Sequence, residues 1–153
     1  MSRVVFMCGP AGAGKSVVAR GLEADGMTRL SFDTEAWRRG IRSQPLPDEV
    51  RAQIETTLRA RLLELVAEGR DVVLDFSFWS RAMREEYRSI LRPVGVEPET
   101  IYLATPRHVA LARVRARDGA GSDDVRLPDE VAAAYAAHFE PPTPDEGPLT
   151  VID

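Results

Sequence analysis

The hydrophobic pattern of the chain alternates between two rhythms. Short apolar runs recur at Val4-Val5-Phe6-Met7-Cys8, Thr28-Arg29-Leu30-Ser31-Phe32, Asp71-Val72-Val73-Leu74-Asp75, Thr100-Ile101-Tyr102-Leu103-Ala104 and Leu149-Thr150-Val151-Ile152. Runs of this length predict strands, and the three consecutive apolar residues in the third suit a parallel strand covered on both faces. Longer stretches with helical spacing lie between them. One begins at Ser16, and a second spans about Thr34 to Ile41 with Thr34 as a candidate cap. A third opens at Pro47, with Asp48 and Glu49 in its first turn, where the helix dipole favours acids. Its Val50, Ile54, Leu58, Leu62 and Leu65 recur on one face, and Gly69 ends it. Further helices are predicted from Ser80 to Leu91, from Pro106 to Arg117 and from Pro128 to Phe139. Ser43 to Leu46 and Pro141 to Pro144 read as connectors, and Asp118 to Asp124 as a flexible glycine-bearing loop.

Strands alternating with helices predict an α/β fold, a parallel sheet of about five strands between helical layers. The length suits a single domain over residues 1–153. Ligands in such sheets bind beyond the carboxyl ends of the strands. That rule gathers residues 9–16, Asp33, Asp75 and the segment after Ala104 along one edge.

The first of these stretches is Gly9-Pro10-Ala11-Gly12-Ala13-Gly14-Lys15-Ser16, which fits the phosphate-binding pattern G-x-x-x-x-G-K-[ST]. It lies between a predicted strand and a predicted helix, as the pattern requires. Gly9 and Gly14 let the backbone turn so that several N–H groups point into one nest. Lys15 brings a point charge to the β- and γ-phosphates, and the Ser16 hydroxyl can ligate Mg²⁺. The candidate phosphate contacts are therefore Gly9, Pro10, Ala11, Gly12, Ala13, Gly14, Lys15, Ser16 and Val17 at the helix start. Of the 20 basic residues every one but Lys15 is arginine, so the chain keeps an ammonium at the one position where the loop needs it.

Two acids end strands on the same edge. Asp75 closes Val72-Val73-Leu74-Asp75 and can hold Mg²⁺ directly or through water; the competing reading is a strand-end acid capping a turn. Asp33 faces the acceptor side, where it can take a hydroxyl proton, or it caps the helix that follows, and Glu35 is a rival base. Arg113 and Arg117 lie four apart on one helix face beside the Asp118-to-Asp124 loop. That is the layout of a short lid, about residues 113–128, that brings positive charge to phosphates, against the alternative of a solvated face. Phe76, Phe78 and Trp79 can wall an acceptor pocket, with Arg81 or Arg84 reaching a polar group, or they can pack as core aromatics. Trp37, Arg38 and Arg39 form the opposite wall in that picture. His108 and His138 read as structural or surface residues.

With these residues in order, the chain resembles the small P-loop kinases related to polynucleotide kinase, chloramphenicol phosphotransferase and zeta toxins. The resemblance runs from residue 3 to about 140 and implies a nucleoside-kinase-like, three-layer P-loop NTPase fold. It implies ATP and Mg²⁺ as cofactors, with Asp33 as general base and Arg38 or Arg39 helping to hold the acceptor. Arg113 and Arg117 would contact the donor phosphates and leaving group, so the implied catalytic set is Lys15, Asp33, Arg113 and Arg117. Taken with the residue readings above, the candidate acceptor set is Asp33, Trp37, Arg38, Asp75, Trp79 and Arg84, with Ser16 and Asp75 at the metal. Two departures stand out. Phe and Trp occupy the neighbourhood where polynucleotide kinases often carry Asn, which disfavours a nucleic-acid acceptor. The helix expected after the fifth strand is absent from this sequence, so a thin adenine pocket is expected.

Composition narrows the functional classes. A net charge of −4 disfavours broad nucleic-acid binding, so the expected acceptor is a hydroxylated small molecule such as an antibiotic, sugar or nucleoside. A 5′-hydroxyl nucleic-acid kinase and a non-catalytic ATP-binding switch remain as alternatives. With a single lysine in the phosphate loop, the guanine-reading motif Asn-Lys-x-Asp is impossible. The one cysteine excludes an internal disulfide framework. No apolar run approaches the roughly 18–20 residues of a membrane span, and no signal peptide precedes the first strand. A cytoplasmic monomer or homodimer is the expectation.

Overall fold

The computed structural model describes residues 2–42, 46–117, 119, 121 and 127–153. The predicted connector at Ser43 to Pro45 and much of the Asp118-to-Asp124 loop, and with it the central part of the lid, lie outside the described residues. The strands are β1 (Val4–Cys8), β2 (Thr28–Leu30), β3 (Val72–Leu74), β4 (Glu99–Leu103) and β5 (Leu149–Ile152). They pair entirely in parallel in the order β2-β3-β1-β4-β5. The helices are α1 (Lys15–Ala24), α2 (Phe32–Arg38), α3 (Asp48–Ala67), α4 (Arg81–Leu91), α5 (Arg107–Arg115) and α6 (Asp129–His138). Among the described residues no helix is long and apolar enough to cross a membrane.

All of β1 is buried, and its alternation assigns the layers. Val4, Phe6 and Cys8 face a core built with Ile54, Leu58, Leu62 and Leu65 of α3 and with Tyr87 and Leu91 of α4. Val5 and Met7 face the other way, onto Ala19, Val18 and Leu22 of α1. The α5–α6 pair forms a satellite cluster around Val114, Leu127 and Ala132. The sheet therefore lies between two helical layers, with β1 central and the phosphate loop at its carboxyl end.

Two local expectations need correction. Strand β2 stops at Leu30, and Ser31 caps α2 by accepting a hydrogen bond from the Thr34 N–H at 3.2 Å. Asp33 thus sits in the first turn of α2, neither at the strand end nor at the cap, and Thr34 is not the cap. In α4, residues 84, 87, 88 and 91 share the inward face, so Arg84 is buried in the core.

Candidate active site

The phosphate loop owes its shape to contacts on both sides. Gly14, with φ +101°, caps α1 in the left-handed region that glycine tolerates best. Gly12, with φ +82°, is held by proximity as well: a Cβ there would lie 2.1 Å from the Ala110 carbonyl oxygen of α5. The consensus leaves this position open, yet the approach of α5 closes it. Arg113 Nη1 donates to the Gly12 carbonyl at 3.3 Å, and Thr105 Oγ1 donates to the Ala13 carbonyl at 2.8 Å. On the other side the Gly9 N–H donates to the Ser77 carbonyl at 3.2 Å, tying the loop to the segment after β3. The Lys15 ammonium folds back onto the Pro10 carbonyl at 3.0 Å.

Ser16 Oγ donates to Asp75 Oδ2 at 3.0 Å, joining the end of β3 to the start of α1. The same oxygen accepts Arg29 Nε at 3.0 Å and Nη2 at 2.6 Å. Burial lowers the Lys15 pKa; Asp75 and Asp33 oppose that shift, and Arg117 adds to it. These groups therefore share one electrostatic neighbourhood around the ammonium.

The loop opens onto a cleft of about 810 Å³. Pro10, Ala11, Gly12, Gly14, Lys15, Ser16, Val17, Arg113 and Arg117 line its phosphate end, with Gly9 and Ala13 behind the loop surface. Asp33, Asp75, Phe76 and Trp79 continue the wall. The lining also includes Phe32, with Arg51 and Glu55 of α3, Met83 and Glu86 of α4, Tyr135 and His138 of α6 and the following Phe139. His138 Nδ1 is 2.8 Å from the Ala134 carbonyl, and the Glu140 N–H donates to the Trp79 carbonyl at 2.7 Å.

Three predicted acceptor residues lie elsewhere. Arg84 is 0% exposed, and its guanidinium is spent on Glu146 at 2.8 Å and on the Phe78 carbonyl at 2.7 Å. Trp37 lies beneath the Arg42 guanidinium, 3.9 Å from the ring centroid, and is not part of the cleft wall. The Arg38 side chain is 74% exposed and pairs with Glu35 at 3.3 Å. Glu35, the rival base, is held by Arg38 and Arg39 and also lies outside the cleft wall. Of the aromatic segment, Phe78 is core, stacked on Phe6, whereas Trp79 is half-exposed on the cleft.

Arg29, Arg51, Glu55, Glu86, Tyr135 and His138 were not singled out as site residues from the sequence. Arg51 and Glu55 carry a usable signal, since they are four apart on the polar side of a helix whose apolar side is unambiguous. Arg29 carries none, being a lone charge in a short edge strand.

The donor set suits a hard cation. Ser16 and Asp75 offer oxygen ligands, and among the described residues no group of three or more His, Cys, Asp or Glu could hold a metal unaided. Phosphate oxygens and water would have to complete a Mg²⁺ shell, as is usual for that ion at nucleotide sites.

This sheet order, with a phosphate loop leaving the central strand, defines a P-loop kinase-like domain. Residues 4–142 match the family described as AAA domain, and the chain belongs to that family. No curated protein matches the chain. Solved structures match over nearly its whole length at low identity. One is a gluconokinase from Sinorhizobium meliloti 1021, 22% identical, with TM-score 0.66 over 99% of this chain and 82% of that one. Another is a sugar kinase from Janibacter sp. HTCC2649, 24% identical, with TM-score 0.68 over 100% of this chain and 86% of that one. A third is the Pnkp1/Rnl/Hen1 RNA repair complex, 15% identical, with TM-score 0.75 over 90% of this chain and 43% of that one.

Proposed function

We propose that the protein is an ATP-dependent phosphotransferase that moves the γ-phosphate to a hydroxyl of a small polar acceptor, such as a sugar, nucleoside or antibiotic. The observation that carries this reading is the shared neighbourhood of Lys15, Asp33, Asp75 and Arg117 at one end of an otherwise open cleft. A bare nucleotide switch has no use for a cleft that continues past the phosphate loop along Asp33, Trp79, Arg51 and Glu55.

In this reading the donor phosphates lie on residues 9–17. Asp33 accepts the acceptor proton as the acceptor oxygen attacks the γ-phosphorus, and the bond to the bridging oxygen of the departing ADP breaks. Lys15, Arg113 and Arg117 meet the charge that spreads over the transferred group and leaving oxygen. Ser16 and Asp75 would hold Mg²⁺, which screens the phosphates and orients them when bound. Arg113 near the end of α5 and Arg117 just beyond it are the arginines of the short lid expected over about residues 113–128.

The rest of the cleft lining favours a small hydroxylated acceptor over a nucleic-acid end. Glu55 and Glu86, both paired with Arg59, line the cleft with Arg51, a mixed lining that suits hydroxyl groups better than a chain of phosphates. An acceptor screen with labelled ATP, reading transfer above background hydrolysis, tests the proposal. Lys15→Ala is expected to lower turnover by ~10²-fold or more, as for loss of a preorganised charge-stabilising donor. Asp33→Asn is expected to lose transfer while keeping nucleotide affinity; full transfer in that variant would remove Asp33 from the mechanism.

A further inference from the structure

We propose that Arg29 is a positioning residue that occupies Oδ2 of Asp75 and so weakens the hold of this site on a divalent cation. This inference rests on the phosphotransferase reading and concerns the same site. Its basis is the crowding of one oxygen. Asp75 Oδ2 accepts from Ser16 Oγ at 3.0 Å, Arg29 Nε at 3.0 Å and Arg29 Nη2 at 2.6 Å. A carboxylate oxygen offers about two lone-pair directions, so three donors leave Oδ2 no free lone pair for a metal, and direct ligation falls to Oδ1 alone.

The pair is well shielded. The Arg29 and Asp75 side chains are 9% and 3% exposed, so water screens their attraction little. Its geometry is set by the sheet and not by a loop. Arg29 stands opposite Val73 in the β2–β3 register, and the Asp75 N–H donates to the Leu30 carbonyl at 2.8 Å. Both side chains thus leave adjacent strands two residues apart in register, and a moving lid or phosphate loop does not separate them.

Two consequences follow for a cation placed by the loop. The Ser16 hydroxyl spends its proton on Asp75 and so keeps its oxygen lone pairs for the ion. The Arg29 guanidinium adds a like charge behind Asp75, which weakens direct approach of the ion to the carboxylate. Mg²⁺ gives up water reluctantly and keeps several waters at nucleotide sites, so a water-bridged carboxylate is compatible with its usual shell. Changing a partner that orients a metal ligand typically costs ~10–100-fold in metal affinity; Arg29 acts in the opposite sense, because it occupies a ligand oxygen and adds a like charge.

The test measures Mn²⁺ affinity by its free-ion electron paramagnetic resonance signal, with protein and a non-hydrolysable ATP analogue present. Arg29→Met is expected to tighten Mn²⁺ by about tenfold, opposite in sign to the usual effect of losing such a partner and equal to its smaller magnitudes. Adding Asp75→Asn to Arg29→Met should abolish the tightening, which a merely structural role for Arg29 would not produce. Unchanged or weaker Mn²⁺ binding in Arg29→Met overturns the inference while leaving the kinase reading intact. A wild-type protein that binds no Mn²⁺–nucleotide overturns that reading and this one together. Should Arg29→Met fail to fold, Arg29→Lys carries the test. Its ammonium lacks the guanidinium fork on Oδ2, so a smaller tightening of a few-fold is expected, and unchanged or weaker binding overturns the inference.

Discussion

Two buried arginine–carboxylate pairs divide the labour of this molecule. Arg29–Asp75 opens onto the phosphate loop, with the Ser16 hydroxyl as its third partner. Arg84–Glu146 is sealed in the core, with side chains 0% and 3% exposed. There Glu146 also accepts Arg88 at 3.3 Å and the Thr143 N–H at 2.9 Å. Arg84 sends its remaining reach to the carbonyl of Phe78, a buried residue held at φ +45°. Such backbone strain persists only where its surroundings over-determine it. The chemistry of the two pairs is the same, but the third partner differs. A hydroxyl of the phosphate loop makes one pair part of the site, while a strained backbone carbonyl makes the other a clamp that turns the chain toward Trp79.

The sharpest way to break this comparison is to remove one arginine from each pair. Arg84→Met leaves Glu146 buried without its fork, and stability should fall by about 3–5 kcal/mol, read from a urea midpoint. Arg29→Met should cost less, about 1–3 kcal/mol, because Asp75 keeps the Ser16 hydroxyl and borders the open cleft. Equal losses would erase the distinction.

Acid provides a second contrast. Burial opposes ionisation of Glu146, but Arg84, the Thr143 N–H and Arg88 overcome it and pull the carboxyl from its ordinary 4.5 to about 2. The folded value lies below the unfolded one, so the contribution is complete above pH 4.5 and is lost as pH falls toward about 2. Its size is about 3 kcal/mol. Equilibrium unfolding from pH 6 to pH 2 should show this limb in the wild type and a flatter one in Arg84→Met.

On the site side, Gly12→Ala forces a Cβ against the Ala110 carbonyl and must displace α5 with Arg113. Nucleotide affinity should drop about tenfold, roughly 1.4 kcal/mol, by calorimetric titration. Unchanged affinity would mean that α5 contributes little to the phosphate end. The smallest effect belongs to Cys8 beside the sealed pair. Burial pushes its thiol up to about 11 despite the nearby Arg84 and Lys15 cations. Alkylation at pH 8, followed by mass spectrometry, should leave Cys8 untouched until the protein unfolds.

What could be read from the sequence depended on how local the determining interaction is. The five strands and the phosphate loop were legible because apolar runs and the Gly9-to-Ser16 pattern are set by near neighbours. Asp33 and Asp75 were reachable because a parallel sheet collects strand ends on one edge. Asp33 was nevertheless misplaced by a turn, since Ser31 takes the cap and starts α2 earlier. Arg84 was assigned to the acceptor because a charge beside a strand end reads as solvent-facing. Its spacing with Tyr87, Arg88 and Leu91 marks an inward stripe, which required a buried acid elsewhere. That acid, Glu146, lies 62 residues away just past a proline-rich connector, and no local pattern links the two. Arg29 was illegible for the same reason: its meaning comes from the neighbouring strand.

The solitary lysine has a practical corollary. Lys15 is the chain's only side-chain amine, and the surrounding protein lowers its pKa, leaving more of it as free nucleophile at mildly alkaline pH. An amine-acylating reagent therefore has two addresses on this polypeptide, the amino terminus and the phosphate loop. Intact-mass counting of the second adduct, with and without nucleotide, would turn the loop into its own occupancy gauge.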